Sequence, residues 1–310
     1  VKASGPVVGI VRNYDWPSLE RQLPDGKDTW GGVRLLIDEI HEPCDLLVVL
    51  NKLNRPIEVE CREVWQVVQE PPLPAFPWIF EGQQAYRRIF SPNRTRLPRS
   101  DPRRAFSHGA LPWRINKTFS ELENLDPPAK TERLSWVTSN KGFWPGHRRR
   151  LQFLETLLEA RIDLRLYGSG FDPIDDKFDG LGAYRYSIAV ENYSGPDYWT
   201  EKLADCFLSW TMPIYFGCTN VEDYFPEESM VRIDVDDPTA PEKIQRVIES
   251  DLYLERRDAI AEARRRVLHE HQLFPFIADR FSGSDRRRER RTIPAYRRGL
   301  TSGLRARLNL

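Results

Sequence analysis

Residues 184–202 constrain the fold more than any other stretch of the chain. They read Tyr-Arg-Tyr-Ser-Ile-Ala-Val-Glu-Asn-Tyr-Ser-Gly-Pro-Asp-Tyr-Trp-Thr-Glu-Lys. A short apolar strand runs directly into two polar side chains, Glu191 and Asn192. A Gly-Pro turn follows. The spacing then predicts a helix from about Tyr198 to Trp210, with Tyr198, Glu201 and Lys202 in its first turn. A parallel α/β sheet presents polar groups to a ligand in this way, at the carboxyl ends of its strands.

The same pattern recurs along the chain. Residues 7–12, 46–51 and 64–69 are apolar on both faces, as expected of strands covered by helices on each side. Residues 30–41 are expected to form a short helix, with further strands near 88–91 and 105–106. The paired prolines of residues 124–130 (Asn-Leu-Asp-Pro-Pro-Ala-Lys) stop helix and sheet alike and read as a linker. Beyond it, strands are predicted at 134–138, 165–167, 186–190, 213–217 and 231–234. Leu151, Phe153, Leu154, Leu157 and Leu158 mark an amphipathic helix over 149–162, and Pro241 opens a helical tract to about His271. Strands alternating with helices predict parallel sheets and right-handed crossovers. The expected fold class is therefore α/β, in two Rossmann-like domains: residues 1–125, residues 131–275, and a basic tail over 276–310.

Composition narrows the function. A chain of 310 residues that is 40% hydrophobic can bury two cores. Its formal net charge is zero, which argues against a nucleic-acid partner. Residues 285–310 nevertheless hold nine Arg against one Asp and one Glu. The run 285–291 reads either as a solvated helix or as a peripheral contact with anionic membrane. No apolar run reaches the roughly 18–20 residues of a membrane span, and no signal peptide is visible. The expected compartment is the cytoplasm, at the membrane surface if the tail binds there. The Golgi lumen is the alternative if an N-terminal anchor has been removed. Cys44, Cys61, Cys206 and Cys218 lie in apolar surroundings and are expected to be buried free thiols. Arg supplies 37 of the 46 basic residues, a bias that suggests a GC-rich bacterial genome.

Three local motifs carry chemistry. Thr-Ser-Asn at 138–140 is followed by His-Arg-Arg-Arg-Leu-Gln-Phe at 147–153. Tyr-Trp-Thr-Glu-Lys occupies 198–202, and Gln-Glu-Pro-Pro occupies 69–72. Together, and most strongly over 134–237, these resemble the α1,3/4-fucosyltransferases of glycosyltransferase family ten. Arg150, Phe153 and Leu157 match the family's Arg-x-x-Phe-x-x-x-Leu block, although three consecutive arginines leave its register ambiguous.

The resemblance implies the GT-B architecture, two parallel sheets facing across a cleft, with the first domain for the acceptor and the second for the nucleotide-sugar donor. It implies that Arg150 and Lys202 contact the donor's diphosphate, and a lysine in the first turn of a helix, against the dipole, fits that use. Glu201 would accept hydrogen bonds from sugar or ribose hydroxyls, Tyr198 would flank the nucleotide, and Asn192 would face the donor from its strand end. Glu70 matches the family's proposed general base, with Gln69 where the family has glycine. Glu191 stays open between a structural and a ligand role.

The implied activity is inverting transfer of L-fucose from GDP-fucose to a glycan hydroxyl, without a cofactor or metal. The alternatives are another nucleotide sugar, or a non-catalytic nucleotide-sugar or glycan-binding protein. Other signals weigh less. Asp234-Val235-Asp236 has a metal-binding form common by chance. His269 and His271 are expected at the surface, and Trp113 reads either as an acceptor-stacking ring or as core.

Overall fold

The computed structural model of the chain describes residues 5–74, 76–95 and 100–295. The chain divides into two compact units, one of residues 1–16, 28–107 and 281–310, the other of residues 17–27 and 108–280.

The first unit is built on strands β1 (Val7–Val11), β2 (Thr29–Trp30), β3 (Val33–Ile37), β4 (Cys44–Leu50), β5 (Ile57–Val67), β6 (Arg88–Ser91) and β7 (Arg104–Phe106). Their order is β2-β3-β1-β4-β5-β6-β7. All neighbours run parallel except β2 and β3. β4 is almost wholly buried, as its unbroken Leu-Leu-Val-Val-Leu run requires. The helix expected over 30–41 is absent. Gly31 and Gly32 have φ of 56° and 81°, and this pair of left-handed residues closes a tight hairpin between β2 and β3 instead.

The second unit holds β8 (Glu132–Val137), β9 (Arg165–Tyr167), β10 (Tyr184–Gly195), β11 (Met212–Cys218) and β12 (Val231–Arg232), all parallel, in the order β12-β11-β10-β8-β9. Its helices are α1 (Phe119–Glu123), α2 (Pro145–Glu159), α3 (Glu201–Leu208), α4 (Ala240–Glu249), α5 (Leu252–Glu255), α6 (Arg257–Arg266) and α7 (Leu273–Ala278), with a π-helical turn at Val267–His271. Pro145 starts α2, where its missing N–H costs nothing. The inward face of α2 carries Phe153, Leu154 and Leu157, and also Arg150.

A last strand, β13 (Glu289–Ile293), returns to the first unit and pairs antiparallel with Ile57–Cys61 of β5. This replaces the solvated helix expected at 285–291. The arginines there meet acids on neighbouring strands: Arg288 bonds Asp45 at 3.0 Å, and Arg290 bonds Glu58. Residues 296–310, the rest of the expected tail, lie outside the described residues.

The units meet in sequence at 107/108, not at the expected 125–131. The segment around Leu125 is packed within the second unit, where its carbonyl accepts from Trp210 Nε1 at 3.0 Å. Lys130 is anchored there too, bonding the Ser209 carbonyl at 2.8 Å. Trp113 belongs to this core, 1% exposed and bonded to the Lys117 carbonyl. His271 is packed rather than superficial, its Nε2 lying 3.0 Å from the Tyr224 carbonyl and its ring against His108 and Phe225. The four cysteines are buried and free.

Candidate active site

In the second unit the chain leaves β8 to form β9 on one side, then crosses to form β10 on the other. This reversal opens a crevice beyond the carboxyl ends of β8 and β10, the usual ligand position in a parallel sheet. Arg150 spans that crevice. One guanidinium nitrogen bonds Asn192 Oδ1 on β10 at 2.9 Å, and the other bonds the Ser139 carbonyl beyond β8 at 3.0 Å. Arg150 is only 4% exposed and has no carboxylate partner among the described residues. Burial pulls its pKa down, yet a guanidinium remains charged. A buried cation held by neutral acceptors alone is costly unless an anion completes it.

The three consecutive arginines are sorted by their partners. Arg148 turns outward to the Gly142 and Phe143 carbonyls. Arg149 bonds Asp236 at 2.8 Å, lies 3.7 Å from Asp234, and stacks on Phe216. Of the three, only Arg150 is buried on the inward face of α2. The acidic Asp234-Val235-Asp236 motif is thus engaged by Arg149.

The long β10 carries the second half of the site. Glu191 is 2% exposed and accepts from the Thr200 amide at 2.8 Å and from the Thr200 hydroxyl. Thr200 in turn caps α3 through the Lys202 amide. Lys202 Nζ lies 3.3 Å from Glu191 and 3.6 Å from Glu201. Burial lowers the Lys202 pKa, but these two carboxylates outweigh it and keep the ammonium charged, while Arg150 opposes them. Arg150 and Lys202 therefore feel one another's positive charge. Burial pushes the Glu191 carboxyl up, against the pull of Lys202. Glu201 is also raised by burial, but Lys202, Lys177 and Arg114 together bring it down to about 2.

Of the residues singled out in the sequence, Arg150, Asn192, Glu201 and Lys202 thus gather at one strand edge. Tyr198 is close in sequence but is not helical: Asp197 has a φ of 63°, and α3 starts at Glu201. Tyr198 is instead buried, its ring edge-on to Tyr193. Three participants were missed. Lys177 and Asp205 pair at 2.9 Å beside Glu201, and only folding brings residue 177 to α3. His147 lies in the first turn of α2.

Glu70 belongs to the first unit, just past the carboxyl end of β5. The preceding Gln69 is buried, with its amide bonded to Asn51 Oδ1 at 2.7 Å and its Oε1 accepting from Tyr14 at 2.8 Å. The ends of β1, β4 and β5 are tied together by these bonds.

Comparison with known proteins finds similarity to glycosyltransferases. Residues 127–256 match the family model described as glycosyltransferase family 10 (fucosyltransferase), C-terminal. The human 4-galactosyl-N-acetylglucosaminide 3-alpha-L-fucosyltransferase is 28% identical over 194 residues, 61% of this chain and 49% of that protein. The human 3-galactosyl-N-acetylglucosaminide 4-alpha-L-fucosyltransferase is 29% identical, with the same coverage of 61% and 49%. The chain thus spans about half the length of the curated relatives it matches. Among solved structures, an alpha1,3-fucosyltransferase with GDP aligns with a TM-score of 0.50 at 16% identity, covering 88% of this chain and 94% of that one. An alpha-glucosyltransferase in complex with UDP-glucose and DNA containing an abasic site aligns with a TM-score of 0.53 at 12% identity, covering 86% and 96%. At such identities these two show the fold, which is GT-B.

Proposed function

We propose, on the premise that residues 127–256 belong to fucosyltransferase family ten, that this chain is an inverting glycosyltransferase that moves L-fucose from GDP-fucose to a glycan hydroxyl. The observation that carries this reading is Arg150, a buried guanidinium without a carboxylate, at the strand reversal and within electrostatic reach of Lys202. A diphosphate is the anion that such a pair fits.

The chemistry follows from where charge develops. As the bond from the anomeric carbon to the diphosphate oxygen breaks, its electron pair stays on GDP, and the sugar gains oxocarbenium character. Arg150 and Lys202 stabilise the charge growing on the diphosphate. In our reading the protein's own cations do this, not a metal ion. Lys202 arrives already oriented by Glu191 and Glu201, so little reorganisation is needed. Glu201 and Asn192 offer acceptors to sugar or ribose hydroxyls, and Tyr198 backs the nucleotide. Glu70 takes the proton of the acceptor hydroxyl as that oxygen attacks the face opposite GDP. Its support is its place at the end of β5 and its match to the family's Glu-Pro-Pro segment.

The test is nucleotide release from a panel of GDP- and UDP-sugars with mixed glycan acceptors, in buffer and in EDTA. Acceptor-dependent release of GDP from GDP-fucose, unchanged by EDTA, is expected. Release from a UDP-sugar alone refutes the donor, and binding without release under every acceptor refutes catalysis.

A further inference from the structure

One titratable side chain at the crevice has no place in the mechanism above. His147 occupies the first turn of α2, three residues before Arg150 and so on the same helix face. The start of α2 is pressed onto the end of β10: a Cβ added to Gly146 would lie 1.9 Å from the Asn192 carbonyl oxygen. His147 therefore stands beside the residue that holds Arg150. Its Nδ1 is buried and makes no hydrogen bond. A buried polar atom left unpaired costs about 1–3 kcal/mol, and such atoms are uncommon in folded proteins.

We propose that His147 is a further ligand of the donor's diphosphate: its ring takes a proton from solvent as the anion enters, and Nδ1–H then donates to a phosphate oxygen. The inference rests on the donor reading given above. The charges that act on this ring are all positive: Arg150 from the same helix, Lys202 from α3, and Lys141 from the loop after β8. Burial first, and then these three cations, push His147 down to about 4, so the free protein holds it neutral. A diphosphate reverses the sign of the local field and favours the imidazolium. The bound state then carries more protons than the free state at any pH between the two pKa values. By linkage, donor affinity rises as pH falls through that window.

The experiment is calorimetry of GDP-fucose binding, without acceptor, at pH 5.5 in two buffers of different ionisation enthalpy. GDP-fucose suits the purpose because its diphosphate is esterified at both ends and does not titrate there. Wild type is expected to take up at least about half a proton per chain, and His147→Gln less than about a tenth. The wild-type dissociation constant should fall about twofold or more from pH 7.5 to 5.5, while that of the variant stays flat. Thermal unfolding of His147→Gln within about 2 °C of wild type shows that the fold is kept. Equal proton uptake by both proteins overturns the role of His147 and leaves the donor reading standing. Failure of wild type to bind GDP-fucose overturns the donor reading, and this inference with it.

Discussion

The two sheets share parallel strands but differ at their carboxyl edges. In the second unit that edge is lined with buried or half-buried charge: Arg150, Glu191, Glu201, Lys202 and Asp205. In the first unit the corresponding edge adds amides to its charges: Arg12 pairs with Asp38 at 2.7 Å and Lys52 is buried, but the strand ends are joined to one another largely through amides. Gln66 bonds the Asn51 and Ile79 carbonyls, and Asn51 and Gln69 bond one another across β4 and β5. A fixed lattice of paired charges suits an invariant anion, because it holds a field in place before the ligand arrives. Amides suit hydroxyls, whose donors and acceptors vary in position. The family model reaches only residues 127–256, inside the charged unit. Under the proposed function, the comparison separates an electrostatic task from an adaptable one.

The sharpest way to break this contrast is at Glu70. Glu70→Gln is expected to reduce kcat by about 10²–10⁴-fold, the usual worth of a general base, while GDP affinity by calorimetry stays the same. A weakened GDP affinity would make Glu70 a donor ligand and dissolve the division of labour. The counterpart in the second unit is Arg150→Ala, expected to lose at least about a hundredfold in kcat/KM, roughly 3 kcal/mol of charge stabilisation. Arg149→Ala should stay within about threefold, since its exposed pairing with Asp236 contributes little. Similar losses from both arginines would show that the basic run acts as a general field and not through one buried group.

How far these features were legible in the sequence varies with their range. The strands were readable because β4 and β11 are almost wholly apolar and β10 holds Ile188-Ala189-Val190, a local signal. The helix expected over 30–41 failed because a glycine pair outweighs the apolar spacing around it, and a left-handed turn needs only two residues. The boundary at 125 failed because a proline pair reads as a linker whether or not tertiary bonds, such as Trp210 to Leu125, hold it down. Glu201 and Lys202 were found through their motif. Lys177 and Asp205 were not, since their pairing spans 28 residues and is made only by the fold.

Gly146 offers a smaller and more mechanical test. The contact of its α-carbon with the Asn192 carbonyl leaves no room for a methyl group, so Gly146→Ala must move the start of α2 off β10. Overpacking of this kind costs about 1–3 kcal/mol. The displacement should fall on the bond from Arg150 to Asn192 and raise the donor KM, with the acceptor KM unchanged. Loss of stability with an unaltered donor KM would mean that the crevice tolerates sliding of the helix, and that the charged edge is less rigid than its hydrogen bonds imply.

The smallest effect is expected at Gln69, where the family resemblance leads one to expect glycine. Gln69 is a buried brace whose amide and side chain fasten β5 to Asn51 and Tyr14. Gln69→Ala keeps the backbone bond to Asn51 and removes the bond from Tyr14. One such bond is worth about 1 kcal/mol, a fall in Tm of about 2–4 °C. If the brace also aims the following carboxylate, kcat should fall severalfold with GDP affinity untouched, the pattern of Glu70→Gln in miniature. A change in GDP affinity instead would mean that the amide edge contributes to holding the donor, and the contrast between the two sheets would then lie in strength and not in kind.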